Sequence, residues 1–377
     1  VGNSQISGRR FAYLATVKDT NDTSYQFGKN MDQTYGTTAI DEYAVDVTWE
    51  VADKTDIGVD MRLLNNKLNL QFDYFKESRE GIYLRRSSIP SYFGMINNPY
   101  GNIGKVENKG FELSVNYANS WGGDWSLSLM GNYSFNRNKV LEDDSTVVYP
   151  WQNTIGNKVG QRFGLVALGL FESYGEIAAS PVQTGDTRPG DIKYKDINGD
   201  GKIDEYDKVP IGWGSVPEIM YGFGFSVGWK NLSLTAMFQG AAHVDAMLSG
   251  EGVLPFSQGS SRGNLLSNIT DRWTEENPRQ NAFYPRLSIG NINMNYEEST
   301  WWLKDTDYLR LKNIELSYRL PDHWMKRIHL DNARIFIQGV NLLTFSSFKI
   351  WDVELGDGRG ARYPNIASVS LGVNFNF

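Results

Sequence analysis

The sequence contains no cysteine and only 3 histidines. Disulfide frameworks, thiol nucleophiles and Cys-based zinc sites are excluded. His243, His323 and His329 show none of the close spacing of a two-histidine zinc helix. No nucleophile elbow is expected. Carboxylate pairs such as Asp143-Asp144 and Glu297-Glu298 are ordinary loop features. An enzyme is not predicted. Positive charge is in deficit, with 37 Lys plus Arg against 44 Asp plus Glu for a net charge of −7. No basic face is left to neutralise nucleic-acid phosphates. Long apolar runs are also missing, and mean hydropathy is −0.43. Transmembrane helices are excluded, but membrane strands are not, because each carries a much weaker signal. The opening residues Val1 to Gln5 include no Met, no basic run and no apolar run. They are expected to begin a mature or partial polypeptide rather than a signal peptide.

What the chain does have is aromatics and glycine: 20 Tyr, 19 Phe, 11 Trp and 38 Gly. That mixture suits strands joined by irregular loops. The strongest pattern is alternation of apolar and polar residues. Phe111, Leu113, Val115 and Tyr117 share one face, with Glu112, Ser114 and Asn116 opposite. The same holds for Trp125, Leu127 and Leu129, for Tyr221, Phe223 and Phe225, and for Val369, Leu371, Val373 and Phe375. Period two fixes one apolar and one polar face per strand. A soluble sandwich produces this as readily as a membrane barrel.

Connection lengths favour the barrel. Strands are predicted over 9–18, 52–63, 67–77, 105–118, 125–137, 219–229, 232–240, 306–319, 332–341 and 368–377. Tight turns at 64–66, 119–124 and 230–231 alternate with long segments at 78–104, 138–218, 241–305 and 341–368. Outer-membrane barrels pair short periplasmic turns with long external loops. This parity puts the C-terminus in the periplasm. The apolar stretch from Arg162 to Phe171 would break it and is assigned to the external loop 138–218. A phase change near Asn313 predicts a β-bulge. Trp121, Trp125, Trp229 and Trp324 lie in or beside short connections, as an interfacial girdle requires. Cross-strand stacking is the alternative reading. The chain is therefore expected to be all-β and antiparallel, supplying roughly ten strands of a larger transmembrane barrel.

Specific motifs sharpen this. The segment from Gly190 to Asp204, with Asp207 and Pro210-Ile211-Gly212, resembles the external-loop signature of SusC/RagA-type TonB-dependent transporters of Bacteroidetes. Similar stretches follow the family's order: Thr48 to Glu50, Asp56 to Asp60, Asn65 to Leu68, Asp73 to Phe75, Gly104 to Leu113, Met237 to Gly240, Trp302 to Ile314, Val340 to Leu342, and terminal Phe377. The resemblance implies the C-terminal half of a barrel of about 22 strands with a plugged lumen. It implies uptake of oligosaccharide or peptide across a Gram-negative outer membrane. The implied partners are a SusD-like surface lipoprotein as lid, TonB acting through a plug outside this chain, the remaining half of the barrel, and lipid. Phe377 would carry the assembly signal. An adhesion barrel without transport and a soluble glycan-binding β-protein are the alternatives.

Within 196–207, Asp196, Asn198, Asp200, Lys202 (through its carbonyl), Asp204 and Asp207 fall at the ligand positions of a calcium loop. Gly201 permits its sharp turn. Asp207 is one methylene shorter than the usual glutamate. A metal-free turn is the competing reading. Trp301, Trp302, Trp351, Tyr92 and Phe93 lie in or beside long loops, as candidates for substrate stacking or for loop packing. Arg85-Arg86 and Arg359 to Arg362 are small basic clusters facing solvent or anionic ligands.

Overall fold

A computed structural model describes residues 13–29, 33–93, 95, 97–257, 265–327 and 330–376. The strands in chain order are β1 (Thr16–Phe27), β2 (Gln33–Glu42), β3 (Val51–Leu63), β4 (Leu68–Arg85), β5 (Tyr100–Trp121), β6 (Trp125–Glu142), β7 (Arg162–Gly164), β8 (Ala167–Leu170), β9 (Val182–Gln183), β10 (Ile192–Tyr194), β11 (Lys202–Ile203), β12 (Val209–Ile211), β13 (Ile219–Trp229), β14 (Leu232–Ala242), β15 (Asp245–Met247), β16 (Leu303–Asp305), β17 (Tyr308–Arg319), β18 (Asn332–Ser346) and β19 (Ser368–Asn376). Two short helices, α1 (Tyr174–Ala178) and α2 (Asp322–Arg327), complete the list. No described helix is long and apolar enough to cross a membrane.

One nine-stranded sheet has the order β19-β18-β17-β14-β13-β6-β5-β4-β3. Its short connections and long connections alternate as the parity predicts. At the β5–β6 turn, Gly122 and Gly123 hold φ of 59° and 76°, the left-handed pair a tight hairpin needs. The strands of the expected 9–18 and 368–377 segments differ in outcome. Residues 9–12 and Phe377 lie outside the described residues. Residues 16–27 pair only with β2, in a separate two-stranded sheet. Strands β4, β5, β6 and β18 run several residues past their predicted ends on the long-connection side.

The chain divides into two compact units, 1–56 with 75–109 and 137–159, and 57–74 with 110–136 and 160–377. In the second, register aligns Leu127, Val227, Leu234, Leu316, Ile337 and Leu371 in a row across the sheet. The opposite face carries Ser128, Ser226, Thr235, Glu315, Gln338 and Ser370. The apolar row is not packed into a core: Leu234, Leu316, Ile337 and Leu371 are exposed, Leu316 and Ile337 by 43% and 47%, and Leu127 and Val227 are half-buried. A sandwich would bury that row. A wall facing hydrocarbon leaves it outward and lines the other side with polar residues. At the short-turn end Trp125 pairs with Trp229, ring centroids 6.0 Å apart, where the girdle is expected. The predicted bulge is present. Lys312 is skipped in the register of β17 with both β14 and β18.

The first unit is held by polar staples. Asn102 donates to the carbonyls of Thr48 (2.9 Å) and Gly81 (2.7 Å) and accepts from Thr48 N (3.0 Å). Asp144 accepts from Ser88 N and Oγ at 3.0 and 2.7 Å, joining the connections that follow β4 and β6.

Candidate functional site

The long connections of the second unit fold together. Their core includes Leu165, Leu170, Ile192, Tyr194, Tyr284 and Trp302, drawn from the β6–β13 and β14–β17 connections. Phe348 and Val353 join from the β18–β19 connection. Residues 162–171 form β7 and β8, which pair with β12 and β10 inside this assembly and not with the large sheet. Residues 162–171 thus add no strand to the large sheet, and the connection that carries them is a packed body.

Burial of apolar side chains here drags backbone and charge with them, so each polar group needs a partner. Gln183 serves β10 from both sides of its amide: Nε2 donates to Ile192 O and Oε1 accepts from Tyr194 N, both at 2.9 Å. Asp191, 1% exposed, accepts from the Arg286 guanidinium twice at 2.9 Å, from Asn295 Nδ2 at 2.8 Å and from Asn293 Nδ2 at 3.1 Å. Trp302 Nε1 donates to Asn295 O at 2.7 Å. A second node joins three connections. Arg162 grips Asp357 at 2.6 and 2.7 Å and also contacts Asp245, whose carboxylate accepts from Trp213 N and Gly214 N. Burial raises Tyr296 to about 12 and lowers Lys304, whose Nζ donates to Trp301 O at 2.7 Å. Tyr296 is thus no poised acid at neutral pH.

The calcium-type loop is exposed at its turn and anchored at its base. Asp196 accepts from Gly199 N (2.7 Å) and Gly201 N (2.9 Å), Asn198 Oδ1 from Asp200 N (3.1 Å), and Asp200 from Lys202 N (2.9 Å). Asp204 caps a 3₁₀ turn, accepting from Tyr206 N at 2.8 Å. Asp207 is fully buried and uses both oxygens on backbone: Ile197 N at 2.7 Å and Asp204 N at 2.9 Å. Among the described residues, no three acidic or histidine side chains are grouped to share one metal ion. The loop closes through its own amides, as the metal-free alternative requires.

The aromatic candidates separate. Trp302, 1% exposed, stands in the loop core and has no surface to offer a ligand. Trp301 and Trp351 pack against that core at its edge. Trp301 Nε1 donates to Phe283 O at 3.2 Å, and Trp351 meets Phe348 edge-on at 5.2 Å. Tyr92 and Phe93 belong to the first unit and are open, 85% and 64% exposed. Arg85 is engaged by Asn97 Oδ1 at 2.8 Å, and Arg362 reaches Leu355 O at 3.5 Å. His243 stacks flat on Trp213 at 4.0 Å with Nδ1 3.2 Å from Glu218. His329 lies outside the described residues.

Sequence reasoning passed over two things. The Asp245 node carried a signal, a single acid set among apolar residues in Val244-Asp245-Ala246-Met247, whereas Asp191, between Gly190 and Ile192-Lys193, carried none. Such a charge is rarely buried unless paired. Gly224 to Gly228 also spells G-x-S-x-G. It lies mid-strand in β13 with Ser226 bonded to Thr235 at 3.0 Å, so no strand-to-helix elbow presents the serine. A second such run, 259–263, lies outside the described residues.

A family model described as "TonB dependent receptor-like, beta-barrel" matches residues 16–342. The chain belongs to this family. TonB-dependent receptor P3 of Formosa agariphila is 28% identical over 377 residues, an alignment covering 92% of this chain and 36% of that protein. TonB-dependent receptor SusC of Bacteroides thetaiotaomicron is 24% identical, covering 100% of this chain and 37% of that protein. This member of the TonB-dependent barrels thus spans little more than a third of the length of the curated relatives it matches. A solved structure of the RagAB peptide importer in its open-open state superposes with a TM-score of 0.67 at 20% identity, covering 97% of this chain and 38% of that one. At that identity the likeness concerns the fold: an antiparallel barrel wall of the RagA kind.

Proposed function

We propose that this chain supplies barrel wall and external loops to an outer-membrane, TonB-dependent nutrient importer of the SusC/RagA type. The observation that carries the reading is the sheet with its apolar face outward and its polar face opposite. Family membership gives that wall its setting. In this reading the short turns and C-terminus are periplasmic, and the long connections meet the medium. A SusD-like surface lipoprotein closes over them. TonB acts through a plug carried elsewhere in the protein and opens a path along the polar face. The work is transport without bond chemistry. The cargo is an oligosaccharide or a peptide, met by exposed aromatics such as Tyr92 and Phe93 rather than by Trp302.

The test is uptake by the source bacterium. Deleting the full-length gene is expected to abolish growth on one defined class, glycans or peptides, and removing TonB is expected to reproduce the defect. Loss of surface adhesion with uptake unchanged would favour the adhesion barrel instead.

We further propose Ca²⁺ as a structural ligand at the open end of 196–207. The support is the spacing in the sequence: Asp196, Asn198, Asp200, the Lys202 carbonyl and Asp204 stand at calcium-loop positions. Asp207 anchors the loop from within. Millimolar Ca²⁺ is expected to slow proteolysis of this loop, and Asp200→Ala to remove the protection. Equal cleavage with Ca²⁺ and with chelator would eliminate the metal.

A further inference from the structure

Strands β4, β5 and β6 carry a charge pattern beyond their apolar stretch. Phe111 of β5 packs its ring on Phe72 of β4 at 6.1 Å and on Phe135 of β6 at 5.9 Å. These rings share one face of the sheet. Each strand then continues unbroken toward its long connection. Because side chains alternate, residues two and four steps further on lie on that same face. They are Lys109 and Glu107 on β5, Arg137 and Lys139 on β6, and Lys76 four steps beyond Phe72 on β4. The ion pairs agree with this placement. Lys76 Nζ lies 2.8 Å from Glu107, and Lys109 Nζ lies 3.5 Å from the same carboxylate.

Four cations thus share two rows with one carboxylate, in a chain whose net charge is −7. A step further along β5, Lys105 is taken by Glu80 at 2.5 Å, so the surplus is confined to the rows that follow the aromatic residues. The cations are open to solvent: Lys76 and Lys109 keep 47% and 56% of their side chains accessible, and Arg137 and Lys139 are exposed. Their depth follows from the strands. Trp121 and Trp125, at the short-turn ends of β5 and β6, stand ten residues from Phe111 and Phe135. Ten residues at about 3.3 Å each, tilted by about 40°, climb about 25 Å, the height of the outward apolar band of an outer-membrane barrel. The cations therefore begin where hydrocarbon ends, and their long stems carry the charge into the headgroup layer.

We infer that Lys76, Lys109, Arg137 and Lys139 form a seat for the phosphate groups of an anionic glycolipid in the outer leaflet. Charge and place select this occupant. The patch is basic, and Lys and Arg hold phosphate oxygens through charge-assisted hydrogen bonds. It stands on the face that meets lipid, so cargo moving along the polar face does not reach it. Glu107 ties Lys76 of β4 to Lys109 of β5 and keeps the two ammonium groups together. The inference rests on the barrel orientation proposed above and on no particular cargo.

The probe is fluorescent diphosphoryl lipid A, titrated into the purified full-length protein in neutral detergent, with heat-modifiable mobility as the check of folding. Lys109→Gln with Arg137→Gln is expected to weaken binding about ten-fold or more, the scale of removing two cations beside an anionic headgroup. Should that pair fail to fold, the exposed Lys139→Gln is read instead, at about five-fold. Unchanged binding overturns the seat. Glu107→Gln removes the one acid of the two rows and is expected not to weaken binding; a loss there overturns the seat as well. Lys54→Gln with Arg62→Gln takes the same charge from the opposite face of β3. An equal loss in that control also overturns it, because net charge alone would then set the binding. Lipid A stripped of phosphate should bind at least ten-fold more weakly, and equal binding removes phosphate from the contact. Millimolar inorganic phosphate is expected to leave the lipid bound; displacement would make this a site for free phosphate and end the lipid assignment. Uptake enters none of these measurements, so the importer reading stands or falls separately.

Discussion

The sheet and the loop assembly treat the same residue types in opposite ways. Leu316, Ile337 and Leu371 of the sheet face outward in a row, while Leu165, Leu170 and Ile192 of the loop assembly are sealed from solvent. In the sheet, polar side chains line the interior-type face and the backbone satisfies itself strand to strand. In the loop assembly a packed apolar core forms, and isolated charges such as Asp191 must be matched atom by atom. One region is shaped by an apolar solvent, the other by water. Hydrophobicity alone does not say which side is inside; the identity of the opposite face does.

The comparison can be broken most strongly in the loop core. Trp302→Ala is expected to cost the loop assembly about 3–5 kcal/mol, the usual range for deleting a buried large aromatic. Limited proteolysis should then cut the long connections while the heat-modifiable barrel persists. If barrel and loops fail together, the two regions are one cooperative body. The sheet offers the matched test on adjacent residues. Leu129→Arg on the outward face is expected to cost about 2–4 kcal/mol in urea unfolding from lipid, whereas Ser128→Arg on the opposite face should change stability by no more than about 0.5 kcal/mol. Equal effects would deny the assignment of faces. Trp229→Leu removes the ring pair with Trp125 and is expected to cost about 0.5–1.5 kcal/mol beyond lost area, read by the same unfolding assay.

The smallest effect concerns the first unit. Hydrogen bonds from Ser88 hold the Asp144 carboxyl below its ordinary value. A depressed folded pKa stabilises above the unfolded value, about 3.9, and that stability is lost as pH falls through the folded value. Amide exchange at Ser88 should therefore quicken only in strongly acid solution. Asp144→Asn should make the exchange fast at neutral pH and flatten the profile.

Most of the sheet was legible because a strand's two faces alternate in the sequence itself. The bulge at Lys312 was legible for the same reason, as a slip in phase. The hairpin of β1 and β2 was not: Lys18, Asp19 and Thr20 show no apolar face, and pairing there depends on residues beyond the predicted segment. The loop core was illegible in detail because its contacts join positions such as Leu165 and Ser299, which no local period connects. Trp301 and Trp302 make the point within one dipeptide. Their side chains are alike in the sequence, yet only the second is sealed. The 196–207 spacing was readable as a loop that gathers oxygen atoms. That Asp207 turns inward to hold backbone amides depended on three dimensions.

Lys312 has one further consequence, for insertion and deletion rather than for substitution. Below it, Ile314, Leu316 and Tyr318 share the face of the apolar row; above it, by register, so do Leu309 and Leu311, because the skipped residue absorbs one step. Removing any other single residue from the middle of β17 would invert the faces on one side of the cut. Removing Lys312 alone keeps both halves of β17 in phase and matches β14, while Asn341 and Leu342 of β18 lose the residue they face. It is the position at which this strand can lose a residue without changing what it shows to either side.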